Sequence, residues 1–171
     1  MSIVKLNKKL YTITLIVILM LVIVVMSDLF KAKIEYVAVS NNNIEEFHEY
    51  ILNEGEHIIL LPEQWEINKV NKINSNFYLE FSNKEDIVCE VRIIDGVLED
   101  FTSMLLEKKS NNLEEIGEWN IIKVSEKSDI DKYYIKNYSE GKILILKFSY
   151  NDIKEKDGID IVFNIIANNF K

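Results

Sequence analysis

Eighteen consecutive residues without a charge, Leu10 to Ser27 (LYTITLIVILMLVIVVMS), constrain this chain more than any other segment. Leu29 and Phe30 extend the run beyond Asp28. As a helix rising 1.5 Å per residue it reaches about 27–31 Å, the thickness of a bilayer's hydrocarbon core. A core helix of a soluble domain would carry a polar stripe, and this run has none. Lys5, Lys8 and Lys9 precede it, and Lys31 and Lys33 follow. That bias puts the N-terminus in the cytoplasm and everything after the span outside. The expected division is a cytoplasmic N-terminus (1–9), a transmembrane signal anchor (10–30), a linker (31–40) and an extracytoplasmic domain (41–171).

Two other fates compete for the segment. A cleaved signal peptide has a shorter apolar region and a small-residue site, which Val25-Met26-Ser27 imitates. A lipoprotein needs a Cys just after the apolar run, and the one Cys of the chain is Cys89. An uncleaved single-pass anchor is the better reading.

Five lysines and one aspartate fall in residues 1–33, so residues 34–171 carry 15 basic and 27 acidic groups, a net −12. A nucleic-acid binder must neutralise phosphates with a basic surface, so that class of partner is excluded. A single Cys rules out a disulfide scaffold and a multi-thiolate metal site. Ile, Lys and Asn, all with A/T-rich codons, number 64 of 171 residues, which points to a low-GC, Gram-positive source.

Periodicity predicts α+β architecture: an antiparallel β-sheet with flanking helices. Ile44, Phe47, His48, Ile51 and Leu52 recur at helical spacing behind N-cap candidates Ser40 and Asn41–Asn43, with Asn43 and Glu46 spaced like a capping box. A second helix should follow Asp95, with Val97, Leu98, Phe101, Met104 and Leu105 on one face and Lys108 and Lys109 at its end. A third should start at Asp157 with a stripe of Ile159, Val162, Phe163, Ile166 and Phe170. Strict alternation marks strands at Phe77–Phe81 and Cys89–Ile93, joined as a hairpin through Ser82–Asp86. A second hairpin joins Lys132–Tyr138 to Lys142–Tyr150. Its last strand is apolar on both faces, which places it at the sheet's centre.

Trp65-Glu66-Ile67-Asn68-Lys69-Val70 and Trp119-Asn120-Ile121-Ile122-Lys123-Val124 share the pattern W-x-I-x-K-V. After each comes an aromatic strand, a turn, an apolar strand and a helix. Either chance in an Ile- and Lys-rich chain or an internal duplication (strand-hairpin-helix twice) accounts for it. The two Trp are the only ones in the chain.

The segment LLPEQWEI (Leu60–Ile67) with its Pro62-Glu63-Gln64-Trp65, the hairpins that follow, and the terminal IVFNIIANNFK (Ile161–Lys171) with Phe170 near its end resemble the PsbP/Mog1-like fold over about residues 55–171. That resemblance implies antiparallel sheet with flanking helices. It also implies non-catalytic work as an accessory or binding subunit, sometimes anchored at the bacterial envelope. It transfers no functional residues.

Few residues offer chemistry. Cys89 sits in a strand with no His beside it and reads as a small buried hydrophobe. Glu45 and His48 have the i, i+3 spacing of a helical metal motif, and Glu54, Glu56 and His57 lie just beyond. Di-metal bundles need that motif twice, and here it occurs once. Glu45, His48 and His57 therefore stand as weak metal candidates. Phosphate-cradling loops and nucleophile elbows are absent from the sequence, so neither a cofactor nor an enzyme is expected. Alternation turns Glu80, Glu90 and Arg92 away from the core, making them the expected contact patch for a protein partner with a basic surface. The function expected is a membrane-anchored, extracytoplasmic interaction module or accessory subunit of an envelope complex. The alternative is a receptor for a small ligand or divalent cation.

Overall fold

The computed structural model describes residues 3–52, 55–73, 76–83, 87–107, 111–151 and 157–171. The chain is α+β, as its periodicity predicts. Lys84–Asp86 of the first hairpin turn, Glu54, Lys108, Lys109 and the side chains of Lys5, Lys8 and Lys9 lie outside the described residues.

Helix α1 (Ile3–Asn41) is unbroken over 39 residues. Residues 31–40, expected as a linker, are helix. KAKIEYVAVS contains neither Gly nor Pro to stop it, and Ala38, only 3% exposed, packs on the domain. The asparagines expected to begin a helix end this one instead. Asn42 Nδ2 donates to the Ala38 carbonyl (2.8 Å), and Asn43 takes φ 55, the left-handed conformation Asn tolerates at helix C-termini. The helix expected over Ile44–Leu52 is strand β1 (Phe47–Leu52), antiparallel to β2 (His57–Pro62) with Phe47 opposite Pro62. Its apolar spacing suits a helix, but pairing with β2, whose Ile59 and Leu61 are fully buried, decides the outcome.

Seven strands form the main sheet, every pair antiparallel: β3 (Glu66–Ile73), β4 (Asn76–Ser82), β5 (Val88–Asp95), β6 (Asn111–Ile116), β7 (Trp119–Glu126), β8 (Asp129–Ser139) and β9 (Lys142–Asn151). Their order across the sheet is β3-β4-β5-β9-β8-β7-β6. Both predicted hairpins are present, and β9 is the central strand. Its two faces divide the core: Leu144, Leu146, Phe148 and Tyr150 on one side, Ile143 and Ile145 on the other. The Leu60–Ile67 segment is the end of β2 up to Pro62, a turn over Pro62–Trp65, and the start of β3.

Helix α3 (Ile159–Asn168) covers the first face together with β1 and β2, and all five residues of the predicted stripe are buried, Phe170 lying just past the helix end. Phe163 stacks on Phe148 with centroids 4.1 Å apart, and Lys132, 8% exposed, pairs with Asp160 at 2.7 Å. Gly158 caps α3 with φ 82, and a Cβ there would stand 2.7 Å from the Ala38 Cβ, so α1 and α3 touch backbone to backbone. Helix α2 (Leu98–Leu106) covers only part of the second face, over β6, β7 and β8. Leu105 is buried there, with Leu98 and Phe101 partly so, whereas Val97 and Met104 of its expected stripe are exposed.

The order strand-strand-strand-helix occurs twice, as β3-β4-β5-α2 and β7-β8-β9-α3, and the two runs meet at the β5–β9 seam. Both Trp side chains enter the same core. The helices do not follow suit: α2 and α3 lie on opposite faces, so element order repeats without a single rotation relating the halves.

Candidate functional site

Because α2 stops over β6–β8, the second face of the sheet is left open by the described residues across β3, β4, β5 and the neighbouring part of β9 and β8. Period-two alternation fills that face with polar and aromatic side chains. Register aligns Lys69, Glu80, Glu90, Lys147 and Tyr133 as one row across five strands. A second row runs Asn71, Tyr78, Arg92 and Ile145. Glu80 directly opposite Glu90 is unfavourable by itself. Each carboxylate has a local partner: the Tyr78 hydroxyl donates to Glu80 Oε2 (2.8 Å), and Arg92 pairs with Glu90 Oε2. The Arg92 guanidinium and the Lys69 ammonium lie 5.6 and 5.7 Å from the Tyr78 ring centre. Further along, Asp131 accepts from Ser149 Oγ (2.7 Å) and pairs with Lys147 (3.1 Å), whose ammonium lies 5.9 Å from the Tyr133 ring.

The electrostatics follow from this packing. Burial and the bond to Glu80 raise the Tyr78 hydroxyl to about 12, and burial with the Asp131 and Glu90 charges does the same for Tyr133. Both phenols stay protonated at neutral pH and act as hydrogen-bonding groups. Across the patch three acids (Glu80, Glu90, Asp131) face three bases (Lys69, Arg92, Lys147), so the surface is charge-dense and locally balanced. Tyr and Arg over a half-buried network are the composition of recognition surfaces.

The structure brings Glu80, Glu90 and Arg92 together, as alternation predicts. Tyr133, Asp131 and Lys147 belong to the same face and were missed, since strand order, not sequence spacing, makes β9 the neighbour of β5.

Glu45 and His48 are exposed, Glu45 before β1 and His48 on it, so their i, i+3 spacing no longer shares a helix face. His57 lies four residue pairs along the β1–β2 ladder from the Leu61 that faces His48. Its ring is 7% exposed, 4.4 Å from Phe77, 5.6 Å from Phe170 and 6.1 Å from Tyr138. Burial lowers its pKa, against the opposing Glu56 charge. Among the described residues no group of three or more His, Cys, Asp or Glu could hold a metal ion. Cys89 is fully buried, and burial pushes its thiol well up.

No protein-family model and no curated protein sequence matches the chain. Among solved structures, cyanobacterial PsbP (CyanoP) from Synechocystis sp. PCC 6803 aligns at a TM-score of 0.51 and 14% identity, covering 75% of this chain and 93% of that one. The domain has a PsbP-like fold. A Bacteroides thetaiotaomicron VPI-5482 protein aligns at a TM-score of 0.49 and 14% identity over 74% of this chain, which spans about half (48%) of that longer protein. In this PsbP-like domain the Pro62–Trp65 segment is a turn closed by the Trp65 N–H on the Pro62 carbonyl (2.9 Å), with Trp65 packed on Phe81. Phe170 closes the aromatic group around His57. Those residues are architectural, and the open face lies on the other side of the sheet.

Proposed function

We propose that this chain is a membrane-anchored, non-catalytic interaction module, an accessory subunit of an envelope complex in a Gram-positive cell, with its PsbP-like domain outside the cytoplasm. One stretch beginning at Leu10 is long and apolar enough to cross a membrane, and none of its most apolar window is buried in the protein; an anchor or a signal sequence has that composition. The observation that carries the reading is the uncovered half-sheet centred on Tyr78, Glu90 and Arg92. The half-sheet that α2 leaves uncovered is polar, aromatic and prearranged.

The net −12 of residues 34–171 steers the domain toward a partner with a basic surface, while the balanced patch sets register once contact is made. Confinement to one membrane plane lets a weak contact suffice. Pull-down from detergent extracts at low and high salt, with wild type and Glu80→Lys/Glu90→Lys, tests this. A partner retained by wild type, weakened above roughly 0.15 M salt and lost in the variant supports it. Equal capture in all four conditions discards the patch. The cation-receptor alternative requires Glu45, His48 and His57 to meet, and the hairpin ladder keeps the two histidines apart. Calorimetric binding of Ca²⁺, Mn²⁺ or Zn²⁺ tighter than about 10 µM (about 7 kcal/mol), abolished in His48→Ala/His57→Ala, would revive it.

A further inference from the structure

We infer that the domain does not swing on a tether but stands on the bilayer from which α1 emerges, with one end of its sheet seated in the lipid headgroup layer. The inference rests on reading α1 as a membrane anchor. Its starting point is that α1 leaves the apolar run without a break and continues through Asn41. Lys31 to Asn41 adds about 16 Å of rigid stem. The stem is docked: Ala38 sits against Gly158 at the start of α3, and α3 runs back along α1 toward the bilayer.

The level of the other end follows from a groove that α1 and α3 share. A groove between α1 and α3 is lined by Ser27, Phe30 and Lys31 from α1, Asn168 and Asn169 from the end of α3, and Ile116 from the end of β6. Ser27 closes the uncharged run, so Ile116 and the end of α3 stand where hydrocarbon gives way to headgroups. Trp119 Nε1 donates to Asn168 Oδ1 (2.9 Å), tying the start of β7 to the same level. Antiparallel order then puts the β6–β7, β8–β9 and β5–α2 connections at one end of the sheet, and Gly96 N–H donates to the Gly141 carbonyl there (3.0 Å).

That end carries exposed apolar side chains at its connections: Ile116 (48% exposed), Val97 (54%) and Tyr138 (40%). A headgroup layer accepts both aliphatic and tyrosine side chains. The charges at this end among the described residues are Glu118, paired with Lys136 (3.4 Å), Glu56, paired with Lys72 (2.6 Å), Asp95, Glu140 and Lys142, Glu99 and Asp100 in the first turn of α2, and Lys171, whose backbone pairs with that of Ile58, so acids outnumber bases. They give no basic attraction to anionic lipid, so the seat comes from the rigid stem and apolar contact, and the occupant is the neutral headgroup region itself.

The test uses the full chain in phosphatidylcholine liposomes, with fluorophores on Ile116→Cys, Val97→Cys, Glu126→Cys and Ile18→Cys in a Cys89→Ala background. Glu126 lies at the far end of the sheet, roughly 25 Å away along β7. Headgroup-attached quenchers should dim the labels at 116 and 97 several-fold more than the label at 126. Equal quenching at 97, 116 and 126 overturns the seating while leaving the anchor intact. The label at 18 reports the anchor separately: if chain-attached bromine fails to quench it, the membrane reading itself falls. Two rim positions guard against one variant misfolding.

Discussion

Gly158→Ala should loosen the joint between stem and domain, and the structure gives the size of the effect. Gly158 holds φ 82, where a side chain costs about 1–2 kcal/mol. The usual gain from restricting the unfolded chain is unavailable at such a φ. The new methyl would also stand 2.7 Å from the Ala38 Cβ and 3.0 Å from its Cα, an overpacking worth about 1–3 kcal/mol. Together these predict a loss of about 2–5 kcal/mol, large against the whole stability of a domain. Denaturant unfolding of the detergent-solubilised chain, followed by tryptophan emission, measures it cleanly, because Trp65 and Trp119 are both buried in the domain. The strain and the overlap separate in a double-mutant cycle. Ala38→Gly alone costs about 1 kcal/mol of helix propensity. Combined with Gly158→Ala it should recover the overlap portion, giving a favourable coupling of about 1–3 kcal/mol. A Gly158→Ala cost below about 1 kcal/mol, or additive single effects, would show that α1 does not rest on α3.

Ile145→Asp puts a carboxylate among Leu105, Ile122, Ile135 and Ile143 at 3% exposure; a loss of several kcal/mol and of the cooperative transition is expected by circular dichroism. Trp119→Phe removes the N–H donated to Asn168 and should cost about 1–2 kcal/mol in a urea melt, with Asn168→Ala adding little on top. Burial holds the folded-state pKa of His57 below its ordinary 6.5, so the unfolded chain binds the extra proton and stability falls as pH drops through 6.5. The fall in urea midpoint from pH 7.5 to 5 should be smaller for His57→Phe than for wild type, and an identical fall in both would refute the assignment. Protease added to cells stripped of their wall should digest the domain without lysis, and protection until lysis would invert the proposed topology.

Elements whose partners are their sequence neighbours were legible in the chain. The β4–β5 and β8–β9 hairpins announce themselves through alternation, and the α3 stripe through a five-residue apolar face that the structure buries entirely. The β1 segment was not legible, because Phe47, Ile51 and Leu52 satisfy a helical period and only its ladder with β2 makes it a strand. The asparagines were ambiguous for a related reason: Asn stabilises either helix end, and what precedes it decides which. Of the open face, Glu80, Glu90 and Arg92 could be read from alternation alone. Lys147 and Tyr133 could not, since nothing local records that β9 lies beside β5.

That same seam has a kinetic meaning. The strands on either side of it, β3-β4-β5 and β9-β8-β7, are each built from hairpins between sequence neighbours, and such contacts close quickly. Only one ladder joins them, and it pairs Glu90 with Lys147, whose loop must close before the central strand has both neighbours. Folding speed should therefore be set at the seam, by how often two preformed meanders collide in register rather than by how fast either forms. Under the proposed anchoring the chain makes that search with one end already held at the bilayer, so the slow step would take place beside the surface on which we infer the finished domain stands.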